Sequence, residues 1–367
     1  MERGESQRHQ KFSSDSTSSP LSPLTRSPLV TTQPLTTLGP PTAVQAPRFA
    51  FSVDLGGTNL RAALIDNRGR IHFRLRQDTP QNSNQEDIVS ALIAAARECE
   101  TQAERMGGLD AGCVVVPGAV DSLNRTVVKV PNLPCLDQFP LRSVLEERLG
   151  WQVLLENDAN AAAIGEMWQG GGRGFRKIVC LTLGTGVGGG IILDGKLWRG
   201  ADGSAGEIGH AAVEPHGGVP CKCGNEGCLE VYASATGITR TANEARSRFP
   251  QSLVFRSDEV RAIDVYQAGL AGDQLALDVF ESMGSYLGIA LANTINILNP
   301  ELIIIGGGVA NGWKLFETPM RQEIFKRAFA GPAARVKIVP AECGDDAGLL
   351  GAARLAFQSG EVETLTG

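Results

Sequence analysis

The segment PCKCGNEGCLE places three cysteines, Cys221, Cys223 and Cys228, within eight positions of one another. Cys221 and Cys223 are too close in sequence for an unstrained disulfide, and their spacing differs from the Cys-x-x-Cys of redox couples. Clustered thiolates in a glycine-rich loop suit Zn²⁺, which needs a fourth ligand to complete a tetrahedron. His210 and His216 are the candidates for that ligand. Such a closed site leaves no position for a reacting water, so we expect the zinc to be structural.

Two other segments combine glycines with apolar runs in the same order. VDLGGTNLRAALID at residues 53–66 and LTLGTGVGGGIILD at residues 181–194 align at an offset of 128 residues. Each predicts a strand, a glycine turn and a second strand. Because α/β segments follow both, the repeat indicates two related domains. The simpler alternative is that any two glycine-rich hairpins look alike.

The segments around these motifs predict the elements that must position them. Residues 49–79 predict three strands, QEDIVSALIAAARECETQAERMG an amphipathic helix, AGCVVV and WQVLLE strands, and NDANAAAIGEMWQ a helix. KIVCLTLGTGVGGGIILDGKLW predicts two strands, residues 260–299 long helices, and PELIIIGGGV a strand with a glycine turn. We expect the last strand in ARVKIVPAE and the last helix in DDAGLLGAARLAF.

The composition is that of a globular protein, with 42% hydrophobic and 20% charged residues. A net charge of -6 offers no basic surface to nucleic acid or to anionic lipid. There is no uncharged apolar run of the ~18 residues that a membrane-spanning helix needs, and we expect a cytoplasmic protein. Residues 1–47 are rich in Ser, Thr and Pro and predict a disordered tail without a secretion signal. A targeting role for this tail is the less favoured alternative.

In their order along residues 49–357, the motifs resemble the ROK family of sugar kinases, and bacterial glucokinases within it. The segments that carry the resemblance are DLGGTNLRAALID, PGAVD, ENDANAAAIGE, LTLGTGVGGGIILDG, GEIGH, CKCGNEGCLE and IIIGGGV. The resemblance implies an α/β, two-lobed actin-like (ribonuclease H-like) ATPase fold with duplicated domains and a zinc-bound loop at 206–230. We expect an N-terminal lobe at 48–165, with a helix at 344–358 packing back onto it, and a C-terminal lobe at 166–343.

The resemblance implies ATP and Mg²⁺ as cofactors, held by glycine hairpins because the chain has no GxxxxGK[ST] loop. Gly56 and Gly57 let backbone N–H groups approach a polyphosphate without a Cβ in the way. Asp54 would repel phosphate, so we expect it to hold Mg²⁺ through water. The other expected nucleotide contacts are Thr58, Asn59, Gly184, Thr185, Gly186, Gly188, Gly307 and Gly308, the last two matching the adenosine-side loop of the family.

The resemblance assigns the catalytic base to Asp158 in LENDANAA, and a sugar-hydroxyl contact to the preceding Asn157. Phosphoryl transfer to a sugar needs a group that takes the hydroxyl proton. Asp158 also lies between a predicted strand and a predicted helix, so the local alternative is a helix N-cap.

The same resemblance selects His210 as the fourth zinc ligand and gives it, Glu207 and Glu230 contacts with the sugar. For the two glutamates the alternative is a solvated surface acid. Gly118 in PGAVD and Asn132 in PNL match positions around the sugar pocket, although Pro-Gly and Pro-Asn are also ordinary turn formers.

Together these expectations describe an ATP-dependent glucokinase that phosphorylates the 6-hydroxyl of glucose. A ROK kinase for N-acetylmannosamine, fructose or allose would share the fold and the motifs. A sugar-sensing repressor of the same family is less favoured, because a Pro/Ser/Thr-rich tail occupies the place of the helix-turn-helix domain. Polyphosphate-using relatives leave the phosphoryl donor open, and the resemblance implies a homodimer.

Overall fold

The computed structural model describes residues 48–80, 84–109, 111–121, 126–130 and 132–363, so the predicted tail at 1–47 lies outside the described residues. The strands are β1 (Phe49–Leu55), β2 (Asn59–Asp66), β3 (Ile71–Asp78), β4 (Ala111–Val116), β5 (Ala119–Asp121), β6 (Thr126–Lys129), β7 (Val153–Asn157), β8 (Ile178–Leu183), β9 (Val187–Leu193), β10 (Lys196–Leu197), β11 (Leu302–Gly306) and β12 (Lys337–Pro340). The helices are α1 (Gln85–Glu104), α2 (Leu141–Leu149), α3 (Asp158–Gln169), α4 (Glu230–Ala233), α5 (Ala235–Glu244), α6 (Ala262–Leu270), α7 (Gln274–Leu298), α8 (Trp313–Arg327), α9 (Ala330–Arg335) and α10 (Ala347–Glu363).

Two five-stranded sheets repeat one topology. The first has the order β3-β2-β1-β4-β7, in which the β1–β2 and β2–β3 pairs are antiparallel and the β1–β4 and β4–β7 pairs are parallel. The second has the order β10-β9-β8-β11-β12 with the same alternation of antiparallel and parallel pairs. The hairpin β1–β2 therefore occupies the same place as β8–β9. This confirms the duplicated α/β architecture that the sequence repeat predicts.

The core between the two sheets contains α3 and α10 packed against each other. A Cβ at Gly165 of α3 would overlap the carbonyl of Ala347, and a Cβ at Gly351 of α10 would overlap the carbonyl of Ala161. Glycine at these two positions allows the helix backbones to touch, which larger residues would prevent. Because α3 begins at Asp158, this contact fixes the direction in which that residue's helix leaves β7.

The outer faces of the sheets carry separate cores. Helices α1 and α2 cover the first sheet, and helices α4 to α9 form a larger core on the second. Helix α7 is long and apolar enough to cross a membrane by length and composition, but 61% of its apolar window is buried inside the protein. That burial is what a core helix shows, because its apolar residues pack against α8 and its other neighbours.

The structure corrects two of the predicted elements. The segment KIVCLTLGTGVGGGIILDGKLW contains three strands, because Asp194 and Gly195, with φ of 51° and 78°, turn the chain from β9 into the short strand β10. Asp-Gly is a preferred pair for such two-residue turns, so the sequence carried this information. The last strand begins only at Lys337, since the preceding residues up to Arg335 belong to α9.

The predicted boundaries of the two lobes stay a prediction. Helix α3 lies within the range predicted for the N-terminal lobe, yet it packs mainly on β8 and β9 of the second sheet. Helix α10 packs on β1, β2 and β4 of the first sheet. Each of these two helices therefore packs mainly on the sheet that does not contain the strand preceding it in the sequence.

Candidate active site

A cleft of about 740 Å³ lies where strands of both sheets end. Its lining includes residues at or just after the carboxyl ends of β1, β4 and β7 in the first sheet and of β8, β11 and β12 in the second. Open α/β sheets bind ligands at this edge, because loops from neighbouring parallel strands converge there. Of the residues predicted from the sequence, the cleft is lined by Asp54, Gly56, Thr58, Asn59, Asp158 and Gly307.

Asp54 carries a carboxylate into this cleft from the end of β1. Its partner is the guanidinium of Arg61, which stands directly opposite it in the β1–β2 hairpin. Arg61 also donates to the backbone carbonyl of Asp345, at 3.1 Å, in the turn before α10. Asp54 and Arg61 thus connect the first glycine hairpin with the start of the last helix.

The turn between β1 and β2 is held tightly. The N–H of Gly56 donates to the carbonyl of Asn59 at 2.9 Å. A Cβ at Gly57 would lie 2.8 Å from the Cβ of Asn132, so this glycine lets the predicted sugar-pocket residue approach the phosphate loop. Thr58 is exposed and lines the cleft, and its carbonyl accepts from the N–H of Thr79 at 2.9 Å.

The second glycine loop borders a separate apolar cavity of about 360 Å³. Gly184, Thr185 and Gly308 of the predicted nucleotide residues line it, together with Ile238, Tyr266 and Phe280. The N–H of Gly184 donates to the carbonyl of Gly186 at 2.9 Å and closes the loop. A half-open, mostly apolar space beside a glycine loop suits a planar heterocycle attached to phosphates.

At Gly186 and Gly188, two of the predicted nucleotide contacts, close packing by itself explains why glycine is present. A Cβ at Gly188 would lie 2.8 Å from the Cβ of Ala159, so α3 packs directly on this strand. A Cβ at Gly186 would overlap the carboxylate of Glu230. Neither glycine lines the cleft or the apolar cavity.

Asn157, not Asp158, is the N-cap of α3, which corrects the local alternative for Asp158. The Oδ1 of Asn157 accepts from the N–H groups of Ala159 and Asn160, at 2.9 and 3.1 Å. Its Nδ2 donates to the carbonyl of Gly118 at 2.9 Å, which leaves one N–H of the amide for another acceptor. Asp158 is the first helical residue, and its side chain is open to the cleft.

The protonation of Asp158 is shifted by its surroundings. Desolvation among the loops around the cleft raises the pKa of Asp158 to about 6, with the negative charges of Asp54 and Glu207 adding to the shift and the N–H of Ala159 opposing it. Although the residue remains exposed to the cleft, the surrounding loops limit its solvation, and the two like charges shift the pKa in the same direction as this desolvation. A carboxylate with a pKa near 6 is better matched to accepting a proton at neutral pH than an ordinary aspartate.

The structure brings together His210, Cys221, Cys223 and Cys228, whose ligand atoms all lie within 4.8 Å of one another. Two of the distances, Cys221 Sγ to His210 Nδ1 and Cys223 Sγ to Cys228 Sγ, are 3.7 Å. Zn–S bonds of about 2.3 Å in a tetrahedron separate the ligand atoms by about 3.8 Å. The donor set therefore fits a zinc ion, and His210 is the histidine in the cluster.

Glu207 and Glu230, predicted to contact the sugar, lie beside this cluster, and neither they nor His210 line the cleft. The Nε2 of His210 lies 3.9 Å from a carboxylate oxygen of Glu207, whose side chain is exposed. Glu230 begins α4 two residues after Cys228, and its carboxylate accepts from the N–H of Val187 at 3.0 Å. The metal cluster thus connects Glu207 with the loop between β8 and β9.

Sequence reasoning missed several residues that the structure places at the cleft. Arg61 was detectable, because the register of a tight hairpin places it opposite Asp54. Arg74 pairs with Asp346 through both of its terminal nitrogens, across a sequence separation that no local pattern reveals. The buried carboxylate of Glu166 accepts from the N–H groups of Gly171, Glu342 and Cys343, and so fixes the turn before α10.

Comparison with known proteins agrees with the motifs and the geometry. The model of the ROK family matches residues 50–359. The chain belongs to the ROK family. This ROK protein is 38% identical over 311 residues to a glucokinase of Thermotoga maritima, covering 83% of this chain and 96% of the relative. It is 31% identical over 306 residues to a xylose repressor of Caldicellulosiruptor bescii, covering 82% of this chain and 76% of the relative.

The fold is shared with solved structures of the family. A crystal structure of a ROK family glucokinase from Streptomyces griseus, in complex with glucose and AMPPNP, matches with a TM-score of 0.72 and 36% identity. The match covers 84% of this chain and 99% of that one. The expected two-lobed actin-like fold and the resemblance to the family are therefore confirmed.

Replacing one sulfur of the cluster tests the metal site. We expect Cys228→Ser to retain several-fold less zinc than the wild type and to melt at a lower temperature, because a structural zinc contributes directly to folding. Elemental analysis of the purified proteins and thermal unfolding measure both effects. Cys135→Ser, a cysteine outside the cluster, is the control and should keep its zinc. Equal zinc in Cys228→Ser and the wild type would contradict the assignment.

Proposed function

We propose that this ROK protein is an ATP- and Mg²⁺-dependent glucokinase that transfers the γ-phosphoryl group of ATP to the 6-hydroxyl of glucose. The observation that carries the proposal is the convergence of Asp158, Asp54 and glycine loops from both sheets on one cleft. The similarity to curated glucokinases at 35–38% identity supports glucose as the acceptor. A curated N-acetyl-D-glucosamine kinase of Pasteurella multocida is 30% identical.

For the nucleotide, the apolar cavity beside Gly184, Thr185 and Gly308 offers a place for the adenine ring. The phosphates would then extend toward the cleft and the loop at Gly56–Asn59, where backbone N–H groups and hydroxyls are the donors. Asp54 offers the oxygen ligand that Mg²⁺ prefers. When bound, the ion neutralises charge on the transferring phosphate.

For the chemistry, Asp158 takes the proton of the attacking hydroxyl as that oxygen approaches the γ-phosphorus. Its position at the first residue of α3 is held by the Asn157 cap and by the packing of α3 on α10. Asn157 directly precedes Asp158, and the N–H of its side-chain amide that does not bind Gly118 can donate to a sugar hydroxyl and orient the sugar. Phosphoryl transfer depends mainly on such positioning and on charge stabilisation.

For the sugar, the residues beside the His210 and cysteine cluster supply hydrogen-bonding groups. Glu207, Glu230 and the Nε2 of His210 are acceptors or donors that a polyhydroxylated ring can use. Asn132, close to Gly57, offers a further amide for a sugar hydroxyl. A homodimer, a cytoplasmic location and the lack of nucleic-acid or membrane partners stay predictions.

An ADP-release assay with a panel of hexoses and amino sugars tests the function. We expect glucose to give the highest kcat/KM, with release that requires both ATP and Mg²⁺. Polyphosphate replaces ATP in a parallel series to test the phosphoryl donor. A higher kcat/KM for another sugar would show a ROK kinase of different specificity. The absence of ADP release with every sugar would contradict a kinase and favour a sugar-sensing regulator.

Asp158→Asn removes the proposed base and keeps the shape of the side chain. We expect kcat to fall by about 10²–10⁴-fold, the usual contribution of general base catalysis. Circular dichroism, melting temperature and zinc content should match the wild type, since Asn157 remains the cap. Asp264→Asn, which alters a carboxylate paired with Arg261 on α6, is the control and should keep its turnover. Turnover like the wild type in Asp158→Asn would contradict the role of the base.

The raised pKa of Asp158 predicts an acid limb in the pH profile. The base works only when deprotonated, so activity is present above its folded-state pKa and is lost as pH falls through about 6. Because phosphate groups also titrate near pH ~6, kcat is measured at saturating Mg-ATP. Activity that persists unchanged down to a pH of about 4, where ordinary aspartates titrate, would contradict the assignment.

A further inference from the structure

Glu156 is a buried carboxylate directly before the cap of α3, with a side chain only 5% exposed. One of its oxygens accepts from the N–H of Asn157 and from the side-chain amide of Asn160, both at 3.0 Å. The other accepts two N–H groups of Arg199, at 2.9 and 2.6 Å. The carboxylate therefore has four hydrogen bonds, the number that an ionised carboxylate can accept.

Arg199 belongs to a segment that leads to Glu207 and His210. Its carbonyl accepts from the N–H of Ala205 at 3.1 Å, which closes a loop immediately before Gly206. Gly206 has a φ of 96°, and a Cβ there would lie 2.5 Å from the carbonyl of Gly189 in β9. The segment is thus anchored at its beginning by Glu156 and at its end by the metal cluster.

We propose that Glu156 and Arg199 form a positioning pair that holds the Asn157–Asp158 turn and the Glu207–His210 segment in one fixed arrangement. The inference rests on the proposed function, because it assigns these two sites to one reaction. Glu156 lies near the carboxyl end of β7 in the first sheet, whereas Arg199, 43 residues later, follows β10 of the second. The pair therefore connects the proton acceptor with the sugar-binding residues without lining the cleft.

A buried pair of this kind is costly to break. Removing Arg199 leaves a buried, uncompensated charge on Glu156, next to the cap that orients Asp158. Relaxation of that charge toward water would move the start of α3 and the Glu207 segment apart. Small displacements of reacting groups are enough to lower turnover by about 10²-fold. Among the described residues, the side-chain hydrogen bonds of the pair involve only Asn157, Asn160 and each other, and none reaches the glycine loops, so binding of ATP should be little affected.

Arg199→Met, Arg199→Lys and Glu156→Gln test the pair in the full-length protein. For Arg199→Met we expect kcat to fall by about 10- to 100-fold and KM for glucose to rise, with KM for ATP within about twofold of the wild type. Arg199→Lys should recover part of the loss, because it restores the charge but not the planar fork. The double variant Glu156→Gln/Arg199→Met should be less impaired than the product of the single effects, since no charge remains unpaired.

Arg142→Met is the matched control, because Arg142 and Glu146 form a partly buried ion pair on α2, away from both cavities. It should lower the melting temperature and leave both KM values unchanged. If Arg199→Met behaves in the same way, the Glu156–Arg199 pair is only structural and the inference is overturned. If Arg199→Met does not fold, the glucose and ATP parameters of Arg199→Lys and Glu156→Gln decide in its place.

The failure of the proposed function has a different signature. In that case neither the wild type nor any Arg199 variant phosphorylates a sugar. Glucose affinity, measured by calorimetry on the wild type and Arg199→Met, then tests the pair separately. Weaker binding in the variant supports positioning of the sugar segment, whereas equal affinity, or no binding by the wild type, overturns it.

Discussion

The close contact of α3 with α10 between the two sheets is the constraint on which the rest of the site depends. Gly165 and Gly351 remove the side chains that would separate the helix backbones. On the opposite side of α3, Gly188 and Gly190 of β9 let the second sheet approach the helix equally closely. The first turn of α3 therefore has little freedom, and Asp158 stays directed into the cleft.

Electrostatics then distinguish the acidic residues of the cleft from one another. Asp54 is paired with Arg61 and Asp346 with Arg74, and Glu156, which does not line the cleft, is paired with Arg199. For Asp158, Ala159 supplies a backbone hydrogen bond, but no cation pairs with it among the described contacts, and desolvation together with the neighbouring negative charges raises its pKa. Asp158 thus combines an exposed carboxylate in the cleft, no cationic partner among the described contacts and a raised pKa, which together are the properties of a proton acceptor.

Much of this arrangement could be predicted from the sequence because it depends on local chemistry. The repeat of glycine hairpins predicted the duplicated sheets, and the spacing of Cys221, Cys223 and Cys228 predicted a metal loop. Turn residues, hydrophobic periodicity and the spacing of metal ligands are properties of residues close together in the chain, so they can be recognised before the fold is known. The choice of His210 over His216 needed the family resemblance, since both precede the cysteines at short distance.

What the sequence determined by itself was the set of elements, the family and the residue types that converge on the cleft. Only the tertiary structure decided that Asn157 is the cap and Asp158 the free carboxylate, since this depends on where β7 ends and how α3 packs. It also decided the long-range partners of Glu156, Glu166 and Arg74, which are 43 to 272 residues distant. Contacts over such separations follow from packing, and no periodicity along the chain encodes them.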